Sequence, residues 1–197
     1  MKNGVALESK GYIIWVDLEM TGLNVATDRI IEIAVLATDQ SLNECIEGPE
    51  IVIHQPDHII DNMDKWNTKH HTESGLVDRV RASRTTVAQA DQQIMAFISS
   101  FLAEKKIPLG KIPLGGNSVH QDRLFIDKYL PEFSAALHYR NIDVSTIKEL
   151  VKRWYPETFK TLPKKKSSHR ALDDIQASIE ELKFYQRTCF LPTTDHV

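Results

Sequence analysis

The sequence predicts an α/β fold built on a mixed sheet. Three observations carry that prediction. Apolar runs at 12–16, 29–38 and 50–54 follow one another with short polar connections, as in an antiparallel meander. Beyond Ile59 the apolar spacing changes to that of helices, with capping-box pairs at Thr86/Gln89 and Thr146/Glu149. Two further short strand-like runs, at 112–114 and 139–144, alternate with the helical segments.

The first strand is Tyr12-Ile13-Ile14-Trp15-Val16, rich in β-branched and aromatic residues. It runs into Asp17-Leu18-Glu19, and Thr21-Gly22 supplies the turn that ends it. At a spacing of two on a strand, the Asp17 and Glu19 carboxylates leave the same face. Two like charges there are tolerable if both are solvated or if a cation sits between them. Hard divalent cations take oxygen ligands of this kind. Residues 23–28 form a polar turn. The second strand, 29–38, is largely apolar, with Glu32 as the one acid inside it, and 39–49 reads as turn-like before the third strand.

Ile60, Met63 and Trp66 then fall at helical spacing, and a second short helix is expected around Thr68, ending near Gly75. Thr86 opens a longer helix with the apolar stripe Val87, Ala90, Ile94, Phe97, Ile98, Phe101 and Leu102. Lys105 and Lys106 sit at the negative end of its dipole. Segment 107–116 reads as a loop around a short strand, since proline disfavours a long central one. Asn117 or Ser118 is expected to cap a helix bearing Asp122, Phe125, Ile126 and Tyr129, stopped by Pro131. A helix from Thr146 through Trp154 ends at Pro156, 160–168 is a basic loop, and 170–186 is the last helix. No linker or repeat marks a boundary, so a single domain is expected over 1–186, followed by a tail, 187–197.

Composition narrows the function. Hydrophobic content of 42% and charged content of 26% are ordinary for a soluble globular chain. No apolar run approaches the roughly 18 residues needed to span a membrane. The N-terminus lacks a signal-peptide core, and Cys45 and Cys189 are far apart, so free thiols in the cytoplasm are expected. A net charge of −3 gives no sign of the basic surface that grips a long nucleic acid. A polyanionic substrate is therefore expected to be short, or held locally with the help of metal ions.

Three acidic stations stand out: Asp17 with Glu19, Asp122, and Asp174. His169 lies five residues before Asp174. If both were helical they would point about 140° apart, so His169 is better placed on the chain just before the helix. Asp173 is turned about 100° from Asp174, so only one of the two can face a common site. Ala171, Ala177 and Ser178 are small enough to let that helix pack close to the strand bearing Asp17.

In order, the chain carries Trp15-Val16-Asp17-Leu18-Glu19-Met20-Thr21-Gly22-Leu23, Arg29-Ile30-Ile31-Glu32-Ile33-Ala34, Trp66-Asn67 with His70-His71, Gly116-Asn117-Ser118 with Gln121-Asp122-Arg123, Tyr139-Arg140-Asn141-Ile142-Asp143-Val144-Ser145, and His169-Arg170-Ala171-Leu172-Asp173-Asp174-Ile175. This series resembles the DEDDh 3′-to-5′ exonucleases and, within them, the oligoribonucleases. The resemblance implies an RNase H-like fold with a mixed five-stranded sheet flanked by helices, and a homodimer. It implies hydrolysis of very short RNAs, especially dinucleotides, to nucleoside 5′-monophosphates with two Mg²⁺ or Mn²⁺ ions. Asp17, Glu19, Asp122 and Asp174 are then the catalytic metal ligands. Two cations roughly 3.5–4 Å apart can hold the attacking and leaving oxygens in line and neutralise developing charge. His169, with an ordinary imidazole pKa of ~6.5, fits the general base better than a metal ligand.

The same resemblance implies the substrate contacts. Leu23 resembles a wedge against bases, and Trp66 and His71 resemble residues lining the nucleotide pocket, where an aromatic face can stack on a base. Ser118, Arg140 and Ser145 resemble a cap on a 5′ phosphate, for which a guanidinium and two hydroxyls are suitable donors. Tyr139 resembles a residue reaching into the neighbouring subunit's site. Glu32 takes no catalytic role in this reading, His70 reads as a surface or helix-start histidine, and Lys164-Lys165-Lys166 reads as a solvated loop.

Overall fold

The computed structural model describes residues 11–163 and 170–190. His169 and the Lys164-Lys165-Lys166 run lie outside the described residues, as does the tail over 191–197.

Five strands form one mixed sheet: β1 (Tyr12–Met20), β2 (Ile30–Asp39), β3 (Cys45–Val52), β4 (Ile112–Gly116) and β5 (Leu137–Asp143), in the order β3-β2-β1-β4-β5. The first three are antiparallel neighbours, and β4 and β5 add in parallel. Helices α1 (Asp57–Asp61), α2 (Lys65–Glu73), α3 (Leu76–Ala82) and α4 (Val87–Lys105) precede β4. Helices α5 (His120–Tyr129) and α6 (Pro131–Ala136) lie between β4 and β5, and α7 (Val144–Trp154), α8 (Pro156–Lys160) and α9 (Ala171–Cys189) follow.

β1 is the axis of the sheet, buried on both faces. Its even-numbered residues Ile14, Val16 and Leu18 join a core with α4, α5 and α6 that includes Ile94, Ile98, Phe125 and Phe133. Its odd-numbered residues Ile13 and Trp15 join a second core with Ala171, Ile175 and Ile179 of α9. The sheet closes tightly there: a Cβ on Gly115 of β4 would lie 2.7 Å from Ile13 Cγ2. A smaller cluster of Ile31, Ile60, Met63, Leu76, Val77 and Val80 seats α1 and α3 on β2.

Several local expectations shift. β3 begins at Cys45 rather than at residue 50, because Gly48 and Pro49 disguise it. It is an edge strand with a register shift opposite Val35, where a missing proline N–H is tolerated. A Cβ on Gly48 would meet the Val35 carbonyl oxygen at 2.8 Å, so only glycine passes there without a shift. The Thr86 capping box is present. The cap expected from Asn117 or Ser118 is not: Val119 precedes α5 without a side-chain cap. The head of α7 is capped by Asp143, which accepts the Ser145 N–H at 2.9 Å, in place of the Thr146/Glu149 pair. Pro131 and Pro156 stop one helix and also open the next, since the first helical turn needs no proline N–H. α9 runs on to Cys189, past the expected end at 186.

Candidate active site

The alternation of β1 positions the acids. Asp17 and Glu19 continue the row of Ile13 and Trp15 on the α9 face, which leads them to the first turn of α9, where Asp174 stands. Asp17, Glu19 and Asp174 are each half-buried, and each offers a carboxylate oxygen within 4.8 Å of the others. Asp173 is exposed, turned away from this group.

Asp122 lies in the first turn of α5, buried, and its Oδ1 accepts the Leu18 N–H at 3.0 Å. It is beside the three-carboxylate group through the strand residue between Asp17 and Glu19, and its charge is felt there. Burial pushes the Glu19 carboxyl up to about 8, reinforced by the charges of Glu32, Asp174 and Asp122. Burial likewise pushes Asp122 up to about 7, against the opposing Leu18 N–H. Acids gathered in this way resist ionising together unless a cation offsets them. All of the donors are oxygen, which suits a hard divalent ion.

Glu32, the buried acid of β2, has a basic partner. It is fully buried opposite Glu19 in the β1–β2 register, and Arg79 Nη1 of α3 lies 2.7 Å from its Oε1. The contact is an ion pair, since Oε1 has no hydrogen-bond partner among the described residues. Its Oε2 accepts the Ala171 N–H at the head of α9 at 3.5 Å. Burial outweighs Arg79 and holds the Glu32 carboxyl above its ordinary range. Arg170, just before α9, pairs with Glu50 of β3 at 3.3 Å.

The expected substrate residues divide into four sets. Leu23 and Trp66 are 69% and 60% exposed, free of the core. The Leu23 carbonyl accepts from Gln121 Nε2 at 2.7 Å, a link between the turn and α5 that no sequence signal announces. His71 is buried instead. Its Nε2 donates to the Met20 carbonyl at 3.0 Å and its Nδ1 faces Glu19 at 3.9 Å, so it braces the end of β1. Ser118 and Ser145 come together, hydroxyl to hydroxyl at 3.1 Å, with both backbone N–H groups donated to Asp143 Oδ1. They line a groove of about 370 Å³ with His120, Thr146 and Arg153. Tyr139 and Arg140 are not part of this groove. Both are exposed on edge strand β5 and touch each other, with the guanidinium carbon 5.4 Å from the Tyr139 ring centroid. Arg153, which pairs with Glu149, is the groove's arginine, and its only sequence signal is helical spacing from Ser145.

A model of the family described as Exonuclease matches residues 14–182. The chain is similar to the mitochondrial oligoribonuclease of Bos taurus, 51% identical over 183 residues, covering 93% of this chain and 75% of that one. It is similar to the oligoribonuclease of Shewanella baltica, 55% identical over 178 residues, covering 90% of this chain and 95% of that one. Among solved structures, E. coli Exonuclease I in complex with a dT13 oligonucleotide superposes with a TM-score of 0.60 over 91% of this chain, at 18% identity. The chain spans 41% of that protein, and the likeness is one of fold: the sheet and its flanking helices are RNase H-like.

Proposed function

Because the chain belongs to the exonuclease family and, within it, to the oligoribonucleases, enzymes of 3′-to-5′ exoribonuclease action, we propose that it hydrolyses short RNAs, dinucleotides above all, to nucleoside 5′-monophosphates. The observation that carries this reading is the convergence of Asp17, Glu19 and Asp174, with Asp122 tied to the strand between the first two. These four acids would hold two divalent ions, Mg²⁺ or Mn²⁺. When bound, such ions supply charge neutralisation at the scissile phosphate and an activated water.

The remaining roles fall to the chain's own residues. His169 takes the proton of the attacking water as the new O–P bond forms and the P–O3′ bond breaks. The leaving 3′ oxygen gains a proton, and a 5′-monophosphate departs from the 3′ end. Trp66 offers its exposed indole to a base, and Leu23 wedges against the neighbouring one. Ser118 and Ser145 face a terminal 5′ phosphate. His71 acts from behind the pocket, through Met20 and Glu19.

Arg140 and Tyr139 fit the site of a second copy. They share one exposed patch on the edge strand, and a homodimer formed there would carry both across together. The exonuclease domain is assigned to 1–186 with a tail from 187, in keeping with the family match over 14–182. The cytoplasm is the proposed compartment, in keeping with the unpaired Cys45 and Cys189. Among the described residues no helix is long and apolar enough to cross a membrane.

The test is binding of 5′-phosphorylated RNAs of two to seven nucleotides in Ca²⁺, which occupies the sites with little turnover. Affinity should fall steeply from two nucleotides to five or more, and Arg140→Ala should weaken the dinucleotide and flatten the series. Equal affinity along the series would point to an open exonuclease groove.

A further inference from the structure

Trp66 and His70 stand one turn apart on α2, and their rings stack with centroids 3.9 Å apart and planes at 26°. Trp66 is 60% exposed and His70 is half-buried, so the indole stands largely in water and belongs to none of the three cores. An exposed indole on a nine-residue helix would otherwise sample several rotamers. A second contact fixes the imidazole. Its Nδ1 lies 2.7 Å from the Trp66 carbonyl oxygen, and a carbonyl only accepts, so Nδ1 carries the proton. His70 is thereby pinned to its own helix, with its ring over one face of the indole. The next residue, His71, is turned about 100° around the helix and goes into the core instead.

We propose that His70 is a positioning residue for substrate. It holds Trp66 in one orientation and covers one indole face, so that the platform receives a single nucleobase on the other. The proposal rests on the reading of Trp66 as a base platform given above. It adds that the platform is built before substrate arrives, which removes an ordering cost from binding. The helix beneath is itself anchored, because the Asp64 side chain accepts the Trp66 and Asn67 N–H groups at its head.

The experiment compares wild type, Trp66→Ala, His70→Ala and His70→Phe. It measures binding of a 5′-phosphorylated RNA dinucleotide in Ca²⁺ and steady-state hydrolysis in Mn²⁺. Trp66→Ala should weaken binding. His70→Ala should raise Kd and KM by about 2- to 10-fold, the range of one aromatic pair, with kcat unchanged. His70→Phe should restore both constants, since a phenyl ring can stack in the same place. The emission of Trp66, obtained by subtracting the matching Trp66→Phe variant, should already change in ligand-free His70→Ala. If Trp66→Ala weakens binding and His70→Ala does not, the role of His70 is overturned and the platform reading stands. A His70→Ala protein that only melts earlier, or a loss that His70→Phe fails to restore, also overturns it. If Trp66→Ala binds like wild type, the platform reading falls and His70 falls with it.

Discussion

Leu18 donates its backbone N–H to Asp122 Oδ1 at 3.0 Å, across a separation of 104 residues. The mid-chain acid is thus set against Asp17 and Glu19 by the backbone of β1 itself. A side chain held by a strand N–H inherits the rigidity of the sheet, which is what a metal ligand needs to keep its place.

Charge and shape at Asp122 should therefore separate. Asp122→Asn keeps an oxygen for the Leu18 N–H and removes a buried negative charge, so turnover should vanish while the melting temperature holds or rises. Asp122→Ala leaves that N–H buried without its acceptor, at a cost of ~1–3 kcal/mol. In a chain of this size that is a fall of about 2–4 °C per kcal/mol. Thermal unfolding and a dinucleotide hydrolysis assay, run on both variants, check the separation.

Stability against pH should change sign with metal. Glu19 and Asp122 have carboxyl pKa values raised by folding, to about 8 and about 7. A raised acid binds its proton more tightly in the folded state, so its contribution is fully present below its ordinary value and is lost as pH rises through the folded one. In chelator, this pair should cost the protein stability between about pH 4 and pH 8. Bound divalent ions favour the ionised acids and reverse the trend. The gap between melting temperatures in Mn²⁺ and in chelator should therefore widen steadily from pH 5 to pH 8. A gap independent of pH would contradict it.

The Glu32–Arg79 pair should behave as a buried ion pair. Arg79→Met strands a fully buried carboxylate, and urea unfolding should show a loss near the lower end of roughly 3–5 kcal/mol, since Arg79 itself is partly exposed. Glu32→Gln combined with Arg79→Met removes both charges and should recover most of that loss. A double variant as unstable as the single one would show that Glu32 acts through Ala171 and the head of α9 rather than through Arg79.

Tyr139 gives a test of the proposed homodimer. Tyr139→Ala should impair hydrolysis without separating the subunits. Mixed with Asp17→Asn to form heterodimers, it should regain activity if Tyr139 serves the other copy's site, because both defects then fall in one site and leave the other whole. No regain on mixing would place Tyr139 in its own subunit's site.

The acids were legible because a strand has a fixed period. Asp17 and Glu19 had to share a face, and the apolar row behind them tells which face. β1 and β2 were legible as strands because each is a long apolar run buried in the sheet. What stayed hidden is what the sequence encodes only through contacts between distant segments. Arg79 is an unremarkable helix cation until β2 brings Glu32 beneath it. The edge position of β3 conceals a strand behind Gly48 and Pro49. His71 reads as a pocket aromatic, and the helix phase buries it against the end of β1 while it leaves the Trp66 indole exposed. Arg140 reads as part of a cap with Ser118 and Ser145, yet the residues lining their groove include Arg153 and not Arg140.

The central claim is that the carboxylates of Asp17, Glu19, Asp122 and Asp174 act by holding divalent metal ions for phosphodiester hydrolysis. The most direct measurement follows a 5′-labelled RNA dinucleotide with wild type and with folded Asp17→Asn, each in Mn²⁺ and in chelator, with Mn²⁺ binding read by calorimetry on the same samples. Wild type should convert the dinucleotide to monophosphates in Mn²⁺ and not in chelator, and Asp17→Asn should bind Mn²⁺ weakly and turn over nothing. Near-normal turnover by Asp17→Asn, or by wild type in chelator, would contradict it.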